Sequence, residues 1–94
     1  MERDSAAAPL PSPDPDVVSR RIGDEIVLVH LKTNRIFSLN PTGARFWELL
    51  SDGKSRHEIE ATLILEYDGS EEEVSAEIDS LAGRLRDEGL VREA

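Results

Sequence analysis

The dipeptide Asn40-Pro41 divides this 94-residue chain into two parts with different hydrophobic patterns. Before it, apolar residues alternate with polar ones or come in short runs, as in β-strands. After it, they recur every three or four residues, as on one face of a helix. Asparagine is a favoured N-cap, and proline fits the first helical position because its missing N–H needs no partner there. The sequence therefore predicts a sheet followed by helices.

The first part predicts a three-stranded antiparallel meander. Its strands cover residues 17–22, 25–31 and 35–39. Gly23-Asp24 suits a tight reversal, and residues 32–34 suit the second turn because asparagine tolerates the left-handed conformation. The middle run is apolar on both faces, which predicts a central strand covered on both sides.

The second part predicts three helices with distinct ends. Capping boxes, in which a serine is followed three residues later by a glutamate, open the second and third helices; they are Ser55 with Glu58 and Ser70 with Glu73. Glycines close the helices; they are Gly53, Gly69 and Gly89. Three strands followed by three helices, with a tight turn between the last two, predict an α+β fold like a winged helix-turn-helix in which the sheet comes first.

The chain is long enough for one domain and too short for two independent cores. Residues 1–16 hold four of the five prolines and no periodic apolar pattern, so we expect a flexible N-terminal tail. Residues 17–94 are expected to form the single domain. Small size and a high like charge favour a monomer.

Composition excludes several classes of chemistry. The chain has no cysteine and two histidines, which leaves no thiolate nucleophile and no histidine cluster for a metal. It also lacks the glycine-rich phosphate-binding motifs. We therefore expect no cofactor, no metal and no catalytic activity. The longest apolar run, residues 26–29, is far below the roughly 20 residues of a membrane span, and no secretory signal is evident, so we expect a cytoplasmic protein that does not enter the membrane.

A winged helix-turn-helix pattern leaves a DNA-binding regulator as an alternative. The charge argues against it, because 11 lysines and arginines face 20 acidic residues, a net charge of −9. The third predicted helix, which would enter the major groove, carries seven acidic residues and two arginines between Ser70 and Glu88. Phosphates would be repelled, so we expect no nucleic-acid partner.

The third predicted strand offers an open sheet edge. The first strand is protected by a preceding proline and two consecutive arginines, whereas residues 35–39 carry a single charge and no proline. If Phe37 and Leu39 face the core, Ile36 and Ser38 lie on the opposite face. Such an edge can accept a peptide as an additional strand. The alternative, an ordinary short edge with no ligand, stays open from patterning alone.

Two short motifs resemble a known family. The pattern Leu-Asn-x-x-Gly-x-x-x-Trp runs from Leu39 to Trp47, and Gly89-Leu90-Val91 lies near the end of the chain. In this order and spacing they resemble the PqqD family of small peptide-binding domains, also called RiPP recognition elements, over about residues 17–91. The form of residues 43–47, the acidic balance and the length are most similar to the discrete recognition proteins of lasso-peptide biosynthesis.

The resemblance implies a peptide-binding site. In that family the leader segment of a ribosomally made precursor peptide docks as an antiparallel strand against the third strand, beside the third helix. Carried onto this chain, the implied contacts are Arg35, Ile36, Phe37, Ser38 and Leu39 of the strand, and Ile78, Leu81, Ala82, Leu85 and Arg86 of the helix. Whether the apolar helix residues are exposed or belong to the core stays open, because the buried stripe and the groove wall share one helix.

The resemblance also implies partners. In lasso-peptide systems the bound leader is presented to a separate cysteine peptidase, and a separate ATP-dependent cyclase then closes the ring. No residue of this chain is expected to carry out either reaction. An alternative within the family is a PqqD-type chaperone for a quinone-cofactor or radical-enzyme peptide pathway.

Overall fold

The computed structural model describes residues 10–93 and confirms the order of a sheet followed by helices. The elements are β1 (Ser12–Pro13), β2 (Val17–Ile22), β3 (Glu25–His30), β4 (Ile36–Leu39), α1 (Pro41–Ser51), α2 (Arg56–Tyr67), α3 (Glu71–Asp87) and β5 (Val91–Arg92). β2, β3 and β4 form an antiparallel sheet in that order. The α+β fold class is thus confirmed.

The core lies between one face of the sheet and the three helices. On β3 the inner face carries Ile26, Leu28 and His30, all buried, and Ile26 and Leu28 belong to the hydrophobic core together with residues of the three helices. The largest fully buried side chains are Leu28, Phe46, Ile59, Leu63, Ile78, Leu81, Leu85 and Leu90. Between residues 10 and 93, no helix has both the length and the hydrophobicity to cross a lipid bilayer.

The outer face of the sheet differs from the prediction. β3 is the central strand, as predicted, but none of the described helices covers its second face, where Val27 and Val29 are half-buried. Val29 lies directly opposite Val18 on one side and Ile36 on the other. Cross-strand neighbours shield part of each valine, so an apolar pattern on both faces does not require a second layer.

Both predicted capping boxes are confirmed, and they fix the turns before α2 and α3. The Ser55 hydroxyl accepts the N–H of Glu58, and the Glu58 carboxylate accepts the N–H of Ser55 at 2.9 Å. Ser70 and Glu73 repeat this arrangement at 3.1 and 3.0 Å. The serine N–H bonds hold the pKa of Glu58 and of Glu73 below the ordinary value of 4.5, because they favour the charged carboxylates.

The capping boxes predict a specific acid sensitivity. Because the pKa of Glu58 and Glu73 is lower in the folded state, their stabilisation is complete above pH 4.5 and is lost as the pH falls through the folded pKa. In a double variant, Glu58→Gln with Glu73→Gln, we expect a flatter decline of the urea midpoint between about pH 6 and about pH 3 than in the parent. Equal declines in the two proteins would contradict the assignment.

Part of the predicted tail belongs to the fold. β1 pairs antiparallel with β5, and the Asp14 N–H donates to the Leu90 carbonyl at 3.1 Å. The Leu31 N–H donates to the Asp16 carbonyl at 2.8 Å, and Leu10 packs against the core. The boundary predicted at residue 16 is therefore corrected, because residues 10–16 belong to the fold. Backbone hydrogen bonds hold this segment. Such bonds require no periodic hydrophobic pattern, so the sequence does not reveal them. The rest of the predicted tail, residues 1–9, lies outside the described residues.

Two truncations test this correction. Removing residues 1–16 deletes β1 and the bonds of Asp14 and Asp16, so we expect the free energy of unfolding to fall by about 2–4 kcal/mol. Removing only residues 1–9 is the matched control, because it keeps β1 and the bonds of Asp14 and Asp16. Urea denaturation followed by circular dichroism measures both, and equal stability of the two truncated chains would show that residues 10–16 contribute nothing.

Candidate functional site

The outer edge of β4 is unpaired in the part of the chain that the structure describes. The His30 N–H donates to the Arg35 carbonyl at 2.9 Å, which marks a hydrogen-bonded pair between β3 and β4. In an antiparallel ladder such pairs recur at every second residue, so the backbone groups of Phe37 point toward β3. Those of Ile36 and Ser38 point outward. This edge therefore presents two N–H groups and two carbonyls to an incoming strand.

The side chains of β4 alternate as predicted. Leu39 is buried and Phe37 is half-buried on the inner face, next to the helices. Ile36 is 68% exposed on the outer face, and Ser38 is also exposed there. A strand added to this edge would therefore have one set of side chains beside the helices and the other set on the open face of the sheet.

The turn between β3 and β4 is held by His30. Its Nδ1 accepts the N–H of Lys32 at 3.1 Å and that of Thr33 at 3.3 Å, while the Asn34 N–H donates to the His30 carbonyl. Asn34 has φ +64°, the left-handed conformation predicted for it. Because Nδ1 accepts two backbone N–H groups, His30 positions the turn. Sequence reasoning found no function for this histidine.

The other end of β4 leads into α1 without a linker. The Asn40 side chain accepts the N–H of Gly43 at 2.8 Å, which is the predicted N-cap. A Cβ on Gly43 would lie 3.1 Å from Leu39 Cδ2, so the glycine allows the first turn of α1 to pack on the end of β4. The Leu-Asn-x-x-Gly motif therefore fixes the direction of α1 relative to the end of β4.

The apolar residues of α3 that were predicted beside the groove belong to the core. Ile78, Leu81, Ala82 and Leu85 are each no more than 2% exposed. The sequence left open whether these residues are exposed or belong to the core. In the structure the four side chains pack into the core and present almost no surface to a ligand.

Glu88, rather than the predicted Arg86, connects α3 to the edge. The Arg35 Nη1 lies 2.7 Å from the Glu88 carboxylate, so an ion pair spans the space between β4 and the end of α3. Arg86 pairs instead with Glu93 at 2.7 Å. As the C-cap of α3, seven residues after the buried Leu81, Glu88 lies on the same side of the helix axis as Leu81.

Arg56 of α2 links α2 to α3. Its guanidinium contacts Glu60 and, across the helix pair, Asp79, each at 2.9 Å, and it donates to the Ser75 hydroxyl. Burial opposes the charge of Arg56, but the hydrogen bonds to Asp79 and Glu60 outweigh it and raise the pKa of this group. The side chain is largely buried, so the contact fixes the position of α3 relative to α2.

Comparisons with known proteins agree with this geometry. The family model described as coenzyme PQQ synthesis protein D (PqqD) matches residues 25–91. The solved structure of TbiB1 in complex with the TbiA(beta) leader peptide is similar at 34% identity and a TM-score of 0.82, over 85% of this chain and 93% of that chain. A lasso peptide synthetase B1 complexed with the leader peptide shares the fold, at 23% identity and a TM-score of 0.78, over 84% and 93% of the two chains.

No curated protein sequence gives a match. The family match begins at the start of β3 and ends in β5, so it includes the open edge, the Leu-Asn-x-x-Gly motif and all three helices. This chain therefore belongs to the PqqD family.

Proposed function

We propose that this protein is a non-catalytic recognition module for the leader segment of a ribosomally synthesised precursor peptide. The leader adds to the outer edge of β4 as an antiparallel strand. The protein then presents it to the modifying enzymes of a lasso-peptide pathway, namely a leader peptidase of the cysteine class and an ATP-dependent cyclase.

The unpaired edge of β4 is the observation that carries this proposal. Ile36 and Ser38 each direct one N–H and one carbonyl outward, and each backbone hydrogen bond to a peptide contributes a net ~0.5–1.5 kcal/mol. Four such bonds are enough to set the register of a bound strand. They do not distinguish one peptide from another, so specificity has to come from side chains on both faces.

Similarity to the TbiB1 structure supports a leader peptide as the ligand. That protein is in complex with a leader peptide, it is 34% identical, and it aligns with 85% of this chain. A disordered leader loses conformational entropy when it pairs, so we expect affinity between nanomolar and micromolar.

The described contacts define the rest of the proposed site. On the inner face a leader side chain meets Phe37, which is half-buried, and the Arg35–Glu88 ion pair. On the outer face a leader side chain lies beside Ile36. Exposed ion pairs contribute about 0–1 kcal/mol, so the Arg35–Glu88 pair can open at little cost when a side chain enters between β4 and α3.

The physical role of the complex is to raise the effective concentration of the precursor peptide at the processing enzyme. One protein that holds the leader and also contacts the processing enzyme converts an encounter between flexible chains into a nearly intramolecular event. This role needs no nucleophile or general base in the recognition module itself.

Fluorescence anisotropy with a labelled precursor leader peptide tests the proposal. We expect saturable binding, competition by the unlabelled leader, and no binding of a scrambled peptide with the same composition. The absence of saturable binding, or equal binding of the scrambled peptide, would overturn the proposed function.

A further inference from the structure

His30 is the only polar or charged side chain that is buried between residues 10 and 93. It is the last residue of β3, and its imidazole lies on the inner face of the sheet. Burying a polar side chain is unfavourable unless its polar atoms find partners in the protein. The partners of the two ring nitrogens therefore indicate what this histidine does.

The two ring nitrogens have different surroundings. Nδ1 accepts the N–H groups of Lys32 and Thr33, at 3.1 and 3.3 Å. A ring nitrogen that accepts two N–H groups carries no proton itself, so the ring proton lies on Nε2. Nε2 is 3.7 Å from the Asp14 carboxylate. This distance is longer than a hydrogen bond, but the negative charge favours a proton on that nitrogen.

Asp14 is held in place by its neighbours. Its Oδ1 accepts the Asp16 N–H at 2.8 Å, and its own N–H donates to the Leu90 carbonyl. The hydrogen bond from Asp16 keeps the pKa of Asp14 below its ordinary value of 3.8, so the carboxylate is charged at neutral pH. A fixed negative charge therefore lies on the Nε2 side of the imidazole.

The backbone of His30 is bonded to the residues that lead into β4. Its N–H donates to the Arg35 carbonyl at 2.9 Å, and its carbonyl accepts the Asn34 N–H at 2.8 Å. Arg35 immediately precedes Ile36, whose own N–H and carbonyl point outward from the sheet. The side chain of His30 thus holds the first half of the turn between β3 and β4, and its backbone holds the second half.

The two ends of the β4 edge are anchored differently. At the end near α1, Ser38 follows Phe37, which pairs with β3, and the Asn40 side chain caps α1. At the other end, Ile36 is positioned by the turn, and the turn depends on the Nδ1 acceptor. β4 lies between β3 and any strand added at the outer edge, so His30 itself does not contact the leader.

We propose that His30 is a positioning residue for leader binding, which acts through the turn between β3 and β4. As the Nε2–H tautomer it supplies the acceptor that keeps the turn closed, and the closed turn directs the backbone groups of Ile36 toward the leader. Without this acceptor the N–H groups of Lys32 and Thr33 pair with water, the turn opens, and one end of the edge is lost for pairing. The inference rests on the proposed function, because it assigns a role at the same edge.

Two polar variants separate the roles of the ring nitrogens. In His30→Asn the amide oxygen lies close to the position of Nδ1, so the turn keeps an acceptor. In His30→Gln the longer side chain places its amide close to the position of Nε2, so the turn loses its acceptor while the side chain stays polar. His30→Leu is a second variant without an acceptor. Circular dichroism verifies that each variant is folded.

Anisotropy titration with a labelled precursor leader peptide measures the affinity of each variant. We expect His30→Gln and His30→Leu to bind the leader about tenfold more weakly than the parent, because the backbone bonds at one of the two outward residues are weakened. His30→Asn is expected to bind within about threefold of the parent.

Amide hydrogen exchange of the leader-saturated proteins compares the two ends of the edge. In His30→Gln and His30→Leu, the Ile36 amide should exchange at least about tenfold faster than in the parent complex, while the Ser38 amide stays within about threefold. General destabilisation of the domain would accelerate both amides alike. Nitrogen-15 NMR of the imidazole in the parent protein measures the tautomer independently, and we expect the proton on Nε2 and none on Nδ1.

Four results would overturn the positioning role while leaving leader recognition intact. They are a proton on Nδ1 in the parent, unchanged leader affinity in a folded variant without an acceptor, equal losses of affinity in His30→Asn and His30→Gln, and equal acceleration of the Ile36 and Ser38 amides. Failure of both acceptor-free variants to fold would assign His30 to the stability of the domain alone and would also overturn it. Absence of leader binding by the parent protein would instead reject the proposed function, and this inference with it.

Discussion

Replacing Ser38 with proline is expected to weaken leader binding by about 100-fold or more, with little effect on folding. The Ser38 N–H points outward from β4, so proline removes a donor that only the leader uses. Proline is tolerated on an edge strand when the missing N–H faces away from the sheet. Its ring would also obstruct an incoming backbone, which adds a steric penalty to the lost hydrogen bond. Anisotropy titration with the labelled leader measures the change.

Two controls make this result specific. Ser38→Ala removes the hydroxyl and keeps the N–H, so it should bind leader within about threefold of the parent. Phe37→Pro removes an N–H that faces β3 and should destabilise the fold itself. Equal leader affinity in a folded Ser38→Pro variant would exclude strand addition at this edge.

Leu85→Ala is expected to lower the free energy of unfolding by about 2–5 kcal/mol, because it leaves a cavity where a fully buried side chain packed. That is a large share of the ~5–15 kcal/mol stability of a small domain. The family resemblance implies that Leu85 contacts the leader, whereas the structure buries it in the core. The expected leader affinity of the folded variant is therefore within about twofold of the parent.

Urea denaturation and leader titration at low temperature separate these two roles of Leu85. A lower urea midpoint with unchanged affinity supports a core position. An unchanged midpoint with lost affinity would instead place Leu85 on the surface that the leader occupies.

Much of the fold is predictable from local signals. Asn40-Pro41 marks the start of α1, and the capping boxes at Ser55 and Ser70 mark the starts of α2 and α3, because each satisfies backbone groups within one turn. The unpaired edge at β4 is also predictable, because a strand with few charges and no proline lacks the features that usually block pairing at a sheet edge. The family motif Leu-Asn-x-x-Gly has a local cause in the close approach of Gly43 to Leu39.

Features that depend on tertiary packing could not be predicted in the same way. Burial of Leu81 and Leu85 depends on how far α3 lies from the sheet, which helical periodicity does not give. The pairing of β1 with β5 joins residues about 80 positions apart and has no hydrophobic pattern. The Arg35–Glu88 ion pair likewise depends on where α3 ends in space.

Residue-resolved amide hydrogen exchange at β4 tests the central claim most directly. In the free protein, the N–H groups of Ile36 and Ser38 should exchange rapidly, while that of Phe37, bonded to β3, should be protected. Saturating leader should protect Ile36 and Ser38. Protection of these two amides before the leader is added, or rapid exchange that persists after saturation, would contradict an open edge that is completed by a bound peptide.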